Sequence, residues 1–302
     1  MTLHYDLHSH STASDGTLSP AELVARAHAR GVHVLALTDH DSTEGLAEAA
    51  AAAAISTSMY VRDIGLDLVP GVEISVSWNS QTVHIIGLHI DPANQALQEG
   101  LAGLRGFRDW RAQEIARRLE KHGIADTYEG AKAYAKGTIV SRTHFARLLV
   151  ERGEARDLQQ VFKRFLVHGK PGYVSGEWAK LEDAVSWITG AGGQAVIAHP
   201  ARYKLTASRL RTLFTEFKDA GGAGIEVVSG SHSRDDYFTL ANYAKQFGLL
   251  ASSGSDYHGP EHPWIELGRL PELPKNCVPI WTEWSQYPCN VSTSTPPTPR
   301  RA

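Results

Sequence analysis

Residues 3–10 of the chain read Leu-His-Tyr-Asp-Leu-His-Ser-His, and residues 32–41 read Val-His-Val-Leu-Ala-Leu-Thr-Asp-His-Asp. Each stretch begins as a β-rich run and ends in histidines and carboxylates. Between them, residues 19–22 (Ser-Pro-Ala-Glu) combine a capping serine, a proline at the first helical position and a glutamate at the third. We therefore expect a helix that ends near Gly31 and is flanked by two strands. This order is typical of a parallel sheet with helical crossovers.

The same alternation of strands and helices runs through most of the chain. We predict further strands at residues 66–69, 72–76, 83–90, 195–198, 224–228 and 249–252, and helices starting at residues 42, 181, 209 and 235. This pattern predicts the α/β class.

The alternation of strands and helices is interrupted by one internal segment and does not continue into the C-terminal residues. Residues 101–178 carry only helical patterns, which indicates a mostly helical insertion. We expect a discontinuous α/β domain at 1–100 and 179–284, with the insertion binding substrate. The Ser-, Thr- and Pro-rich tail at 285–302 has too few apolar residues to order itself, and we predict that it is disordered.

Length and composition exclude several classes of protein. The chain has 302 residues, 42% of them hydrophobic and 21% charged, which is ordinary globular usage and enough for a core without disulfides. No apolar run approaches the roughly 18 residues that a membrane span requires. The two cysteines, Cys277 and Cys289, lack metal-site spacing. We expect a cytoplasmic protein without a membrane partner.

Charge is divided unevenly along the chain. Residues 101–180 hold 16 Lys and Arg against 9 Asp and Glu, whereas the remainder holds 14 against 24, for a total of −3. A basic segment beside an acidic frame is consistent with an anionic ligand held by one part and cations by the other. Two solvated faces of unequal charge are the alternative interpretation.

Histidines and carboxylates gather where predicted strands end. Asp6, His8 and His10 alternate along one strand, so their side chains are expected on one face, where they could share a metal. The other candidates in this pattern are Asp39, His40, Glu73, His84, His199, Asp256 and His258. In a βα barrel the carboxyl ends of the strands meet at one mouth, so these side chains could come together there. Six or more nitrogen and oxygen ligands at one mouth would imply several metal ions.

These motifs resemble those of the PHP (polymerase and histidinol phosphatase) superfamily over residues 1–280. Within the insertion, residues 140–147 (Val-Ser-Arg-Thr-His-Phe-Ala-Arg) and 169–174 (Gly-Lys-Pro-Gly-Tyr-Val) resemble the branch that contains 3′,5′-nucleoside bisphosphate phosphatases and RNase AM type 5′ to 3′ exonucleases. The resemblance implies a distorted (β/α)7 barrel, similar to a TIM barrel, that carries three divalent metal ions, typically Mn, with Fe or Zn in some members.

The resemblance also implies a set of ligands for each ion. The first would be held by His8, His10, Glu73 and Asp256, the second by Glu73, His84 and His199, and the third by Asp15, His40 and His258. All of these except His84 would also be catalytic. Many members similar to histidinol phosphatase have His where this chain has Asp15, and a carboxylate there favours a harder ion such as Mn.

The insertion is expected to hold the substrate. Arg105, Arg108 and Arg111 are three residues apart on a predicted helix and form a basic ridge, or else a solvated face beside the core. Ser141 can cap the following helix, which leaves backbone N–H groups and Arg142 to receive a phosphate. Further substrate contacts are expected from His144, Lys170, Asp15 and His40.

The leading hypothesis is a phosphatase that removes the 3′-phosphate of nucleoside 3′,5′-bisphosphates such as pAp, through a hydroxide bridging two metals. A 5′ to 3′ exoribonuclease acting on short 5′-phosphorylated RNA is the alternative. Histidinol phosphatase and a non-catalytic regulatory metal-binding module are further hypotheses. The net charge of −3 disfavours long duplex nucleic acid as a partner.

Overall fold

The computed structural model of the chain describes residues 3–59, 65–261 and 263–286. The first half contains β1 Tyr5–Asp6, α1 Pro20–Ala29, β2 Val34–Leu37, α2 Leu46–Met59, β3 Asp67–Trp78, β4 Gln81–Leu88, α3 Gln95–Lys121, α4 Thr127–Tyr134 and α5 Arg142–Glu151. The second half contains α6 Leu158–Val161, α7 Leu181–Gly190, β5 Gln194–Ile197, α8 Ala207–Asp219, β6 Gly224–Ser229, α9 Arg234–Phe247 and β7 Leu250–Gly254.

The seven strands form one nearly closed barrel in the order β1 to β7. The three strands β1, β2 and β3 are parallel, as are β5, β6 and β7, whereas β4 is antiparallel to both of its neighbours. Backbone bonds from Leu7 N to Ser253 O and from Asp256 N to His8 O, both 2.9 Å, join the first strand region to the last. The predicted α/β barrel is confirmed, with one reversed strand that the sequence pattern did not indicate.

Local signals placed several elements correctly and others incorrectly. The capping box of Ser19 and Glu22 starts α1, and Gly31 follows its end with φ 76°. The two strands predicted at 66–69 and 72–76 are a single strand, β3, which passes through Pro70 and Gly71 without a break. Helix α2 begins at Leu46 rather than residue 42.

Helix α3 joins the barrel to the helices that follow it. Its N-terminal residues Leu97 and Leu101 pack in the core of the barrel, whereas Ile115 and Leu119 belong to a separate apolar cluster with α4, α5 and α6. Because α3 starts at Gln95, the boundary predicted at residue 101 falls inside it. A π-helical turn, Phe162–Leu166, extends α6.

Every helix in the described ranges is too short or too polar to cross a membrane. The tail predicted at 285–302 lies outside the described residues, apart from Ser285 and Gln286, which end the 3-10 helix Ile280–Gln286.

Gly71 sits where β3 changes partner from β2 to β4, and it has no room for a side chain. A Cβ there would lie 2.8 Å from Thr38 Cγ2 and 2.9 Å from Gly87 O. We predict that Gly71→Ala lowers the free energy of unfolding by about 1–3 kcal/mol in urea titrations, because backbone must move to admit the methyl group.

The matched control is Gly103→Ala in α3, where a Cβ would meet nothing within 4 Å. That substitution should raise the free energy of unfolding by roughly 0.5–1 kcal/mol, since alanine loses less backbone entropy in a helix. Equal effects at the two glycines would contradict the packing described for the β2–β3–β4 junction.

Candidate metal centre

Glu73 is fully buried at the mouth of the barrel, with imidazole rings around it. Its Oε2 atom lies 2.8 Å from His40 Nδ1 and 3.3 Å from Nε2 of both His8 and His10. His8 and His10 follow β1, His40 follows β2, and Glu73 lies within β3. Three neighbouring strands therefore deliver their polar residues to one point.

The other oxygen of Glu73 contacts two different imidazoles. Its Oε1 atom lies 2.8 Å from His84 Nδ1 and 3.2 Å from His199 Nε2. His199 follows β5, as the strand-end pattern predicts. His84 lies in the middle of antiparallel β4, paired with Ser75. It does not follow the end of a strand, and it joins the cluster because its side chain points toward Glu73.

Two further carboxylates complete the cluster. Asp256, which follows β7, places Oδ1 3.3 Å from His10 Nε2. Asp15 places Oδ1 3.3 Å from His258 Nε2 and 3.9 Å from His40 Nε2. Asp15 also contacts the helical insertion through its second oxygen.

Four groups of residues bring their ligand atoms within 4.8 Å of one another: His10, Asp15, His40 and His258; His8, His10 and Asp256; His8, Glu73 and His199; and His40, Glu73 and His84. All nine residues of the expected ligand set belong to at least one group. The grouping differs from the three expected sets. Glu73 is not grouped with His10 and Asp256, His84 and His199 fall in separate groups with Glu73, and His10 joins the group of Asp15, His40 and His258.

Asp6 does not join these groups, although the strand alternation placed it on the same face as His8 and His10. Strand β1 ends at Asp6, so the period of two does not continue to His10. The Asp6 Oδ1 atom accepts a 2.8 Å bond from Ser255 N. Burial raises the pKa of Asp6 to about 7.

The donor atoms fit a cluster of divalent cations. Glu73 Oε2, Asp15 Oδ1 and His40 Nδ1 are buried and lie beside other donor atoms of the cluster, but among the described residues none of the three makes a hydrogen bond of good geometry. Buried polar atoms are rarely left in this state unless a ligand satisfies them. Mixed imidazole and carboxylate donors suit Mn, Fe or Zn.

The protonation states of Glu73 and His199 suit metal binding directly. At His8 and His10 the neighbouring carboxylates outweigh burial and raise the pKa, to about 9 for His10, so a bound cation would displace these protons. Burial alone would raise the pKa of the Glu73 carboxyl, but the imidazoles of His40, His84 and His8 hold it well below its ordinary value. Burial, reinforced by the Arg202 guanidinium, lowers the pKa of His199 to about 3. A charged carboxylate and neutral imidazole are the forms that coordinate metal ions.

A cavity joins this cluster to the insertion. Its walls include Asp15, His40, His84, His199, Asp256 and His258 on the barrel side, and Arg108, Arg111, Ser141, Arg142, Phe162 and Trp178 on the other. Within the described residues, neither Arg111 nor Arg142 has a carboxylate ion-pair partner. Burial, together with Arg142 and Arg108, lowers the pKa of Arg111 to about 9. This concentration of positive charge favours an anionic ligand.

Arg108 has a different environment, because it is paired with a carboxylate. Its Nε donates a 2.6 Å bond to Asp41 Oδ2, and a terminal nitrogen donates to Ser75 Oγ at 2.8 Å. Arg105 donates to the Asp41 carbonyl. The predicted basic ridge thus contributes Arg108 and Arg111 to the cavity, and Arg105 and Arg108 brace the loop that carries His40.

Ser141 caps helix α5 as predicted, and its hydroxyl also donates a 3.1 Å bond to Asp15 Oδ2. His144 is buried in the same capping box, where its Nδ1 accepts from Ser141 N, and it does not line the cavity. Lys170 lies in a separate shallow groove with Arg118, away from the cluster. His144 and Lys170 were expected to contact the substrate, but in the structure neither residue lines the cavity.

Sequence patterns missed two charged residues of the site. Glu226 is fully buried in β6 and bonds to His8, and Arg202 places a terminal nitrogen 2.5 Å from Asp256 Oδ2 at the cavity wall. A carboxylate inside the apolar run Gly224–Ser229 was the available signal, since a buried charge needs a partner. Arg202 follows His199 by three residues, in the 3-10 helix Pro200–Tyr203, and an arginine at that position carries no such signal.

A nearly closed α/β barrel with a cluster of histidines and carboxylates at its mouth defines the class of metal-dependent hydrolytic barrels. The family model of the PHP domain matches residues 6–189, and the chain belongs to this family. The resemblance indicated by the sequence motifs is confirmed.

Several relatives cover nearly the whole chain. A 3′,5′-nucleoside bisphosphate phosphatase from Chromobacterium violaceum is 52% identical over 92% of this chain and 95% of its own length. A 5′-3′ exoribonuclease from Haemophilus influenzae is 45% identical over 94% of this chain and 100% of its own. The solved structure of an amidohydrolase from Chromobacterium violaceum, with bound sulfate and no metal, is 50% identical and covers 94% of this chain and 96% of its own, with a TM-score of 0.88.

Replacing the central carboxylate should weaken metal binding. Changing a group that only orients a ligand already costs about 10–100-fold in affinity, so Glu73→Gln should weaken Mn²⁺ binding by at least that factor. Isothermal titration of the metal-free protein with Mn²⁺ measures the effect. Glu283→Gln, an exposed carboxylate bonded to Gln194, serves as the control. Unchanged Mn²⁺ affinity in the Glu73 variant would rule out Glu73 as a ligand.

Proposed function

We propose that the protein is a metal-dependent phosphatase that removes the 3′-phosphate of nucleoside 3′,5′-bisphosphates such as pAp. The observation that carries this proposal is a single cavity with two chemically different walls. One wall is the cluster of imidazoles and carboxylates, and the other holds two guanidiniums with no carboxylate partner among the described residues. A ligand with two phosphates matches both walls, and the Chromobacterium violaceum relative is named for this reaction.

We assign the metals to the nine clustered residues. The proposal is three divalent ions within the four overlapping groups, and the three carboxylates Asp15, Glu73 and Asp256 favour Mn, with Fe or Zn as alternatives. When bound, such ions lower the pKa of a coordinated water toward neutrality and stabilise charge on the transferring phosphoryl group.

The residues of the insertion, taken as 101–178, would bind and orient the 5′-phosphate. Arg142 and Arg111 present guanidiniums to the cavity. Helix α5 begins at Arg142, and because the N–H of Thr143 donates to Ser141 Oγ, the backbone N–H of Arg142 is the one that would be available to an anion. Ser141 and Thr143 donate to Asp15 Oδ2, at 3.1 and 3.0 Å. These bonds fix the Asp15 carboxylate with its other oxygen facing His258.

A second candidate function is 5′ to 3′ exonuclease activity on short 5′-phosphorylated RNA. The same contacts would hold the first nucleotide, with the scissile group being a 3′ diester instead of a 3′ monoester. The Haemophilus influenzae relative favours this candidate, at an identity close to that of the phosphatase. Both candidates require a nucleotide partner with a 5′-phosphate, and the proposal includes action in the cytoplasm.

Removing the proposed 5′-phosphate contact should affect substrates selectively. We predict that Arg142→Ala raises the KM for pAp by about 10–100-fold, the equivalent of a charged hydrogen bond of roughly 1.5–3 kcal/mol. The KM for 3′-AMP should change by less than about threefold, because 3′-AMP has no 5′-phosphate for Arg142 to contact. Phosphate release under steady-state conditions measures both constants.

The control is Arg156→Ala, an arginine of the insertion whose side chain is 83% exposed and paired with Asp157. It should leave both constants unchanged. If Arg142→Ala raised the KM of pAp and 3′-AMP equally, the assignment of the 5′-phosphate to this wall would be wrong.

A further inference from the structure

Glu226 is a fully buried carboxylate in β6 that uses both of its oxygens within the barrel. Its Oε1 atom lies 2.9 Å from His8 Nδ1, and its Oε2 atom accepts a 2.5 Å bond from the backbone N–H of His199. Glu226 belongs to none of the groups of clustered ligand atoms. It therefore contacts two residues of the cluster, His8 after β1 and His199 after β5, through atoms that do not face Glu73.

The contact with His8 determines which ring nitrogen faces the centre. A carboxylate accepts hydrogen bonds and cannot donate them, so Glu226 holds the imidazole proton on Nδ1. Nε2 is then the nitrogen left to coordinate a cation, and it points at Glu73 Oε2, 3.3 Å away, and at Asp256 Oδ1, 3.4 Å away. Carboxylates in this position behind metal-binding histidines fix the ring and its tautomer.

The contact with His199 supports an unfavourable backbone. His199 has φ 30° and ψ 55°, in the left-handed region that residues with side chains seldom adopt. The bond from its N–H to Glu226 holds this conformation, which aims His199 Nε2 at Glu73 Oε1. The same carboxylate thus secures ligand residues on two sides of Glu73.

Gly254 provides an independent observation of how closely the pair is held. A Cβ at this position would overlap the Cβ of His8 and lie 2.6 Å from Glu226 Oε1. Strand β7 can pass behind the His8 and Glu226 pair only because residue 254 lacks a side chain. A side chain at residue 254 would therefore disrupt the contact between His8 and Glu226.

We propose that Glu226 is a positioning residue of the metal centre, which fixes the His8 tautomer and the His199 backbone. The proposal rests on the metal centre of the proposed function but not on its substrate. Mn²⁺ binding by the unaltered protein tests the centre itself, and a comparison of Glu226 variants tests the positioning role separately.

Glu226→Gln is the informative substitution. A glutamine can accept from His8 Nδ1 with its oxygen, but its amide nitrogen then meets the N–H of His199, where two donors oppose each other. We expect Mn²⁺ titrated into the metal-free protein to bind about 10–100-fold more weakly than to the unaltered protein. Glu226→Asp, which keeps the charge but is one methylene too short to span both donors, should also lose affinity.

The control is the replacement of Glu266 by glutamine (Glu266→Gln). Glu266 is a buried carboxylate that pairs with Arg26 and Arg30 and belongs to none of the groups of clustered ligand atoms. This substitution should lower the melting temperature without changing Mn²⁺ affinity. Unchanged Mn²⁺ affinity in a folded Glu226→Gln protein would overturn the proposal.

A measurement on the unaltered protein covers the case in which the Glu226 variants fail to fold. In Zn²⁺-loaded protein with ¹⁵N-labelled histidine, the long-range ¹H–¹⁵N spectrum should show His8 protonated at Nδ1 and metal-shifted at Nε2, with His8→Asn identifying the signal. The opposite tautomer would refute the role assigned to Glu226.

Discussion

Glu73 carries its charge in the interior of the barrel, where an ion is costly unless it is paired. Among the described residues its ion-pair partners are all imidazoles, contributed by residues that follow β1, β2 and β5 and by one within β4. Two more carboxylates, Asp15 and Asp256, lie in the same cluster. Cations at its centre would compensate this concentration of negative charge, and the folded barrel should therefore gain stability from metal binding.

The metal cluster and the arginine-lined wall are connected by direct bonds. Asp41 follows His40 in the chain, accepts from Arg108 on α3, and also accepts from Ser75 N on β3. On the other side, Asp15 accepts from Ser141 at the start of α5. Helix α3 reinforces the connection, because its two halves pack in the two apolar cores. The distance between the two proposed phosphate sites would thereby be fixed by the fold, which would suit a substrate with two phosphates on one sugar.

Much of this arrangement could be predicted from the sequence because it is encoded locally. The capping box at Ser19, the βα alternation and the histidines at strand ends are all short-range patterns, and they were enough to indicate an α/β protein with candidate metal ligands at the ends of its strands. The motifs added the likeness to the PHP family, which the family match confirms.

Features that depend on which strands pair could not be predicted. Pro70 and Gly71 indicated a break, yet Pro70 is the last residue of β3 paired with β2, so its missing N–H falls where the ladder changes partner. The reversal of β4 likewise follows from pairing with β3 and β5. Glu226 escaped notice because its role exists only where β6 meets residues that follow β1 and β5.

The central claim is that one cavity binds two phosphates, with the metals at one and the insertion at the other. The most direct test is phosphate release by the Mn²⁺-loaded protein from pAp and from 3′-AMP at equal, low concentration, with a short 5′-phosphorylated RNA assayed in parallel. The account predicts rapid release from pAp with 5′-AMP as the product and much slower release from 3′-AMP. Equal rates on pAp and 3′-AMP would contradict it, as would mononucleotide products from the RNA with no turnover of pAp.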